Sequence, residues 1–143
     1  MSVHQISVFL ENRAGQLAEI TGVLAEHNID LRAISIAETA DYGVLRMIVD
    51  DAARATNILL EKEYILSMTP VVAVAVPDVP GGLAPVLATL AEGNIDIEYM
   101  YSLFTHVDGK AYMVFRIGEE EKFKSLLASH GLKTAEAEDL GIK

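Results

Sequence analysis

Two stretches of the chain match each other closely. Residues 15–31 read GQLAEITGVLAEHNIDL, and residues 81–97 read GGLAPVLATLAEGNIDI. Nine of the 17 aligned positions are identical at a fixed offset of 66 residues. The 143-residue chain therefore predicts a duplicated small module, with one copy over residues 1–70 and the other over residues 71–143.

Each copy repeats the same order of hydrophobic patterns. Alternating apolar residues predict a first strand over 6–10 and again over 72–76. Apolar residues at three-to-four spacing then predict a helix over 17–24 and over 83–90. The identical order in both copies indicates that one supersecondary unit was duplicated.

The remainder of each copy completes a common topology. Asn28 and Asn94 tolerate the left-handed conformation and should end the first helices. Two strands follow, then a second helix at about 52–63 and 119–130 and a short closing strand. This order predicts an α+β fold of two tandem ferredoxin-like βαββαβ modules with antiparallel four-stranded sheets and both helices on one face. Only Pro70 separates the copies, so we expect them to pack as one rigid unit.

The alternation also places mostly apolar side chains on the sheet faces that point away from the helices. These residues are Ser7, Phe9, Val44 and Ile48 in the first copy and Ala73, Ala75, Tyr112 and Val114 in the second. A large exposed apolar surface usually marks an interface. We expect the other repeat or a second chain to cover these faces; a shifted strand register is the alternative.

Composition excludes several classes of partner. The formal charge of −10 argues against nucleic acid, which binds basic surfaces. The longest wholly apolar run covers residues 71–76, whereas a membrane-spanning helix needs roughly 20 residues. With no cysteine, no basic leader and no apolar signal segment, we expect a cytoplasmic protein.

Catalytic and metal-binding motifs are missing from the sequence. The four histidines lack metal-ligand spacing, and neither a nucleophile elbow nor a phosphate-binding glycine loop occurs. Glu119, Glu120 and Glu121 lie where a helix begins, so we interpret them as a solvated first turn that complements the helix dipole. The sequence therefore predicts no enzyme, no metal and no cofactor.

The strand-to-helix loop is the recurring feature with binding potential. Residues 11–17 read ENRAGQL, and residues 77–83 read PDVPGGL. Glycine permits a close approach to the backbone, and the free N–H groups of a first helical turn attract a carboxylate. The carbonyl of Asn12, or Asp30 and Asp96 at the second strands, would accept the ammonium group of an amino acid. Alternatively, Asn12 and Asp78 only cap the helices while the glycines serve the turns.

These features resemble the ACT domain, a ferredoxin-like module that binds amino acids and regulates metabolic enzymes. The likeness rests on the Asn-Arg-Ala-Gly-x-Leu loop, the helix behind it and Asn28-Ile29-Asp30, and it recurs in the second copy. The resemblance implies ligand-binding roles for the residues at the two loops and second strands: Asn12, Arg13, Ala14, Gly15, Gln16, Leu17 and Asp30, and Asp78, Pro80, Gly81, Gly82, Leu83 and Asp96.

Some roles remain open within that resemblance. Copy two has Asp78 in place of Asn and an added glycine, so its ligand or affinity would differ. Arg13 is either a solvated side chain or a carboxylate clamp. Tyr99, Met100 and Tyr101 would wall the ligand cavity or form an interface core.

The resemblance implies a regulatory amino-acid sensor that works as a homodimer. Ligand would bridge a helix N-terminus of one module and the second strand of a neighbour. The alternative is a regulatory subunit of a metabolic enzyme, because ISVFLENRAGQL at 6–17 is similar to the small subunit of acetolactate synthase.

Overall fold

The computed structural model of the chain describes residues 2–11, 13–38 and 41–143. The chain divides into two compact units. The N-terminal unit comprises His4–Thr69 with Gly141–Lys143, and the C-terminal unit comprises Pro70–Leu140 with Val3. The assignment of 1–70 and 71–143 as separate domains stays a prediction.

The N-terminal unit has the predicted βαββαβ order. Its elements are β1 (Val3–Glu11), α1 (Gln16–Glu26), β2 (Leu31–Glu38), β3 (Tyr42–Val49), α2 (Ala52–Glu61) and the first part of β4 (Ile65–Pro77). The strand order is β2-β3-β1-β4. β3 pairs antiparallel with β1 and with β2, and Ile6 lies opposite Met47.

The C-terminal unit repeats this topology. After the second part of β4 come α3 (Ala84–Glu92), β5 (Tyr99–Val107), β6 (Lys110–Arg116), α4 (Glu120–Ser129), β7 (Thr134–Ala135) and a 3-10 turn (Ala137–Leu140). β6 pairs antiparallel with β4 and β5, and β7 pairs antiparallel with β4. The predicted fold class is therefore confirmed in both units.

The structure differs from the sequence expectation at the junction of the copies. Instead of two short strands separated by Pro70, a single strand of 13 residues runs from Ile65 to Pro77. Proline suits an extended strand where its missing N–H is not needed. The carbonyl of Pro70 accepts a hydrogen bond of 3.3 Å from Nη1 of Arg116.

Each unit has its own apolar core between its sheet and its helices. In the N-terminal unit, the buried side chains come from β1, β3, α1 and α2: Ile6, Val8, Leu10, Leu45, Met47, Val49, Ile20, Leu24, Ala55 and Leu59. In the C-terminal unit, Phe115 and Phe123 pack edge to face with ring centroids 5.5 Å apart. The alternation read from the sequence thus assigns the core face of both sheets correctly.

The opposite faces of the sheets are covered unevenly. Ser7, Ile48, Ala73 and Val114 are buried, whereas Phe9 is 47% exposed. The cross-strand register confirms which residues share this face, because Phe9 pairs with Val44 and Ala75 with Tyr112. Coverage of this face by a second chain stays a prediction.

Both first helices end as the sequence predicts. Asn28 and Asn94 have φ angles of 56° and 54°, in the left-handed region. The next N–H in each case bonds five residues back, from Ile29 to Leu24 at 3.0 Å and from Ile95 to Leu90 at 2.9 Å. β2 begins three residues after Asn28, and β5 begins five residues after Asn94.

Candidate functional site

The loop between β1 and α1 leaves the beginning of the helix open. Gly15 precedes α1 with φ +85°, and no side chain of the described residues caps the helix. The first bond inside the helix runs from Glu19 N–H to the Gly15 carbonyl at 2.9 Å. The N–H groups of the first turn therefore point outward without an intrahelical acceptor. Asn12, the predicted loop asparagine, lies outside the described residues.

A small cavity lies beside this open helix end. It has a volume of about 60 Å³, and its lining comes from β1, α1, β2, β3 and the loop: Leu10, Glu11, Arg13, Gln16, Leu17, Ile36 and Gly43. Oε1 of Gln16 is buried and has no hydrogen-bond partner among the described residues. Leaving a buried acceptor unpaired costs about 1–3 kcal/mol. The cavity thus lies beside a helix end whose first N–H groups have no intrahelical acceptor, and it is lined by Gln16, whose carbonyl oxygen has no partner among the described residues.

Arg13 is held in a surface network at the rim of the cavity. Its Nε lies 3.5 Å from Oε2 of Glu11 and its Nη2 lies 3.8 Å from Oε2 of Glu19. Oε1 of Glu19 in turn accepts a hydrogen bond of 2.7 Å from the hydroxyl of Tyr64. Burial, together with the hydrogen bond and negative charge of Glu19, raises the pKa of Tyr64 to about 12. Arg13 is thus a surface side chain that is already paired with carboxylates.

The equivalent loop of the C-terminal unit is closed on itself. Gly82 N–H bonds to the Val79 carbonyl at 3.0 Å, and Ala84 N–H bonds to the Gly81 carbonyl at 3.3 Å. Pro85 lies in the first turn of α3 and has no N–H, while Val86 N–H bonds to the Leu83 carbonyl at 3.1 Å. A Cβ atom at Gly82 would collide with the carbonyl oxygen of Pro77. Two of the three N–H groups equivalent to those of Gln16, Leu17 and Ala18 are therefore already bonded within the loop, at Gly82 and Ala84.

Asp78 does not cap α3, so that alternative is wrong for the second loop. The N-cap of α3 is Leu83, without a side-chain hydrogen bond. Asp78 N–H bonds to the Gly109 carbonyl at 2.8 Å, and Oδ2 of Asp78 lies 3.4 Å from Nδ1 of His106. The carboxylate therefore faces the β5–β6 turn rather than the helix.

Comparison with known proteins assigns the family. A family model described as an ACT domain pair matches residues 1–142. The chain belongs to the ACT domain family. No functionally curated sequence matches this ACT pair.

Solved structures resemble the ACT pair over nearly its whole length. Protein BT0572 from Bacteroides thetaiotaomicron is 40% identical, with a TM-score of 0.90 over 99% of this chain and 96% of its own. The ligand-free regulatory subunit of aspartate kinase from Thermus thermophilus is 19% identical, with a TM-score of 0.67 over 92% of this chain and 93% of its own. The second likeness concerns the fold alone.

Asp30 and Asp96 of the ACT pair do not lie next to the strand-to-helix loops of their own units. Asp30 follows α1, and a helix of 11 residues spans about 16 Å, so Asp30 lies at the far end of α1 from Gly15. Its N–H donates to Oδ1 of Asp50 at 2.9 Å, and its Oδ2 lies 3.2 Å from Nη1 of Arg32. Asp96 is exposed and likewise follows its helix, α3. Neither aspartate therefore lies beside the loop of its own unit.

The remaining predicted site residues have other surroundings. Tyr99 and Tyr101 stack on each other with ring centroids 6.4 Å apart, and Met100 packs against the core of the C-terminal unit. Ala14 and Pro80 are exposed, and Leu83 packs at the edge of that core. None of the three residues 99–101 lines the cavity beside α1.

Sequence reasoning missed two parts of the cavity. Ile36 of β2 and Gly43 of β3 close it from the sheet side, and only the strand register places them there. The sequence also does not indicate that Oε1 of Gln16 is buried and unpaired; it shows only that Gln16 follows Gly15.

Among the residues that the structure describes, no group of His, Asp and Glu side chains is arranged to hold a metal ion. Within the same residues, no helix is both long and apolar enough to cross a membrane. Glu119 precedes α4, and Glu120 and Glu121 lie in its first turn, as predicted.

Proposed function

We propose that this ACT pair is a regulatory protein that binds a free amino acid at the loop of its N-terminal unit and has no catalytic activity. The observation that carries this proposal is the buried, unpaired Oε1 of Gln16 beside the uncapped beginning of α1. Membership of the ACT family supports a regulatory role. We place the protein in the cytoplasm.

The chemistry of the loop suits both ends of an amino acid. The outward N–H groups of Gln16, Leu17 and Ala18 would receive the carboxylate, favoured by the positive end of the helix dipole. Oε1 of Gln16 would accept from the ammonium group, as a carbonyl oxygen does. Leu10, Leu17 and Ile36 would contact the ligand side chain. A cavity of about 60 Å³ favours a small side chain.

We assign ligand binding to one loop of the two. The closed loop before α3 uses the N–H groups of Gly82 and Ala84 within the loop itself, so two of the three donors that α1 would offer have no free equivalent here. The ligand roles suggested for Asp78, Pro80, Gly81, Gly82, Leu83 and Asp96 therefore become structural roles in this proposal. One amino acid per chain is the expected stoichiometry.

Regulation would follow from a neighbouring chain completing the site. Asp30 of a second copy would contribute a further acceptor for the ammonium group beside Oε1 of Gln16, because Asp30 does not lie at the loop of its own unit. Ligand would then stabilise one arrangement of the homodimer, and only its higher affinity for that arrangement would produce a signal. A regulatory subunit of a metabolic enzyme would use the same device.

A melting screen with the twenty amino acids tests the proposal. Ligand at 100 times its Kd stabilises the folded state by about 2.7 kcal/mol, which raises Tm by roughly 5–10 °C for a chain of this size. The matched variants are Gly15→Val and Gly81→Val, since these glycines have φ +85° and +79° with open space around the missing Cβ atom.

The two variants separate binding from strain. Both should lower Tm similarly, because valine is strained at positive φ. Only Gly15→Val should also abolish the ligand-induced shift. No shift with any amino acid in the wild type, or loss of the shift in Gly81→Val alone, would overturn the proposal.

A further inference from the structure

A second polar groove lies on the C-terminal unit. It is on the sheet face that points away from α3 and α4, and its volume is about 300 Å³. Ala75 and Ala135 line it with small side chains, and Lys110, Tyr112, Lys133 and Asp139 surround them. This groove shares no residue with the cavity beside α1.

The strand register explains why a groove forms here. Tyr112 of β6 lies opposite Ala75 of β4, and Ala75 N–H bonds to the carbonyl of Lys133 on the other side at 3.3 Å. The three residues thus form one row across neighbouring strands, with alanine in the middle. Because strands are about 4.8 Å apart, Tyr112 and Lys133 are about 10 Å apart across a floor of alanine.

The groove contains two positively charged side chains, although the unit around it carries a net negative charge. Residues 70–140 contain five Lys and Arg against eleven Asp and Glu, which gives the unit a formal charge of −6. Two of those five cations, Lys110 and Lys133, nevertheless line this groove together with Asp139. No ion pair joins Lys110 or Lys133 to another described residue.

Asp139 is already engaged at the edge of the groove. Its Oδ2 accepts a hydrogen bond of 2.9 Å from the N–H of Glu136, which fixes the 3-10 turn that follows β7. No ion pair joins Asp139 to either lysine, so both ammonium groups remain available to a bound anion. A ligand that carries two negative charges would match them, while the Tyr112 hydroxyl offers a further hydrogen bond.

We propose that this groove binds a small organic dianion, with carboxylate or phosphate groups, at a site separate from the amino-acid loop. The inference does not depend on the proposed function, because it rests on a different unit and different residues. A bound anion would connect Lys110 of β6 with Lys133, which immediately precedes β7.

Backbone-amide NMR titrations with succinate and with inorganic phosphate test this proposal. At least one probe should give saturable shifts at the amides of Ala75, Thr134 and Ala135. The double variant Lys110→Gln/Lys133→Gln should weaken that binding by about tenfold or more, since each charged hydrogen bond contributes strongly to affinity. The tighter probe identifies the anionic group.

The matched control is Lys122→Gln/Lys124→Gln. It removes the same charge from the same unit, but from α4 on the other side of the sheet. This control should retain the affinity of the wild type. Equal weakening in both double variants, or no saturable shift with either probe, would overturn the proposal.

Discussion

Gly82 lies so close to the carbonyl oxygen of Pro77 that no side chain fits at this position. The residue at the same place in the first repeat is Gln16, which begins α1 and lines a cavity. Two loops related by duplication have therefore diverged into one closed turn and one open helix end. This difference is the basis for assigning different roles to the two units.

Replacement of Gly82 by alanine should destabilise the protein. The added Cβ atom collides with main-chain atoms, and overpacking of this kind costs about 1–3 kcal/mol. Gly118→Ala is the matched control, because nothing lies within 4 Å of its added Cβ atom. Urea unfolding measures both changes. A Gly82→Ala variant as stable as Gly118→Ala would show that the loop is not closed as described.

Tyr64 should titrate at unusually high pH. Its pKa of about 12 has burial as its first cause, so Glu19→Gln should lower the pKa without restoring the ordinary value of 10.0. The raised pKa favours the neutral hydroxyl in the folded state. The resulting stability is present below pH 10.0 and is lost as the pH rises towards about 12.

Ultraviolet titration of tyrosinate measures this prediction. The chain has five tyrosines, and Tyr64→Phe should remove the ionisation step near pH 12. Loss of its hydrogen bond to Glu19 should also cost about 0.5–1.5 kcal/mol of stability. An unchanged alkaline titration in Tyr64→Phe would contradict the assignment.

His130 should remain protonated above the ordinary imidazole pKa of 6.5. Its Nδ1 lies 2.9 Å from the Leu126 carbonyl, and its Nε2 lies 3.0 Å from Oε2 of Glu92. The backbone contact is the first cause of the raised pKa, so Glu92→Gln should lower the pKa only in part. An NMR titration of the imidazole protons measures both values.

The sign of the pH effect follows from the direction of that shift. The folded-state pKa lies above the unfolded value, so the contribution to stability is full below pH 6.5 and is lost as pH rises through the raised pKa. His130→Gln should remove this pH dependence. A wild-type His130 that titrates at or below 6.5 would contradict the described contacts.

Replacement of Gln16 by leucine separates stability from binding. Leucine removes the buried unpaired Oε1, so we expect the ligand-free protein to gain about 1 kcal/mol. The same change removes the proposed acceptor for the ammonium group and should weaken amino-acid binding by at least tenfold. Thermal melts with and without ligand measure the two effects. If Gln16→Leu were less stable than the wild type and bound the amino acid equally well, Oε1 of Gln16 would be hydrogen-bonded in the wild-type protein and would not contact the ligand.

The fold was predictable because local signals agree within each repeat. Alternating residues such as Ile6 and Val8 assign the core face of β1, and Asn28 and Asn94 end both helices as expected. The continuity of β4 through Pro70 was not predictable, because the sequence does not tell whether a missing N–H is needed at that position.

The site was only partly predictable. Glycine at positions 15 and 81 indicates a sharp turn of the backbone, and both residues have positive φ. What separates the loops is which N–H groups are already bonded, and this depends on the path of the backbone around Gly82. The register that brings Ile36 and Gly43 to the cavity is likewise a tertiary property.

The central claim is that one open loop per chain binds an amino acid. A backbone-amide NMR titration with the amino acid that raises Tm most tests it directly. We predict saturation at one ligand per chain, with shifts at Gly15, Gln16, Leu17 and Ala18. Saturation at two ligands per chain with matching shifts at Gly81, Gly82 and Ala84, or shifts confined to that second loop, would contradict the claim.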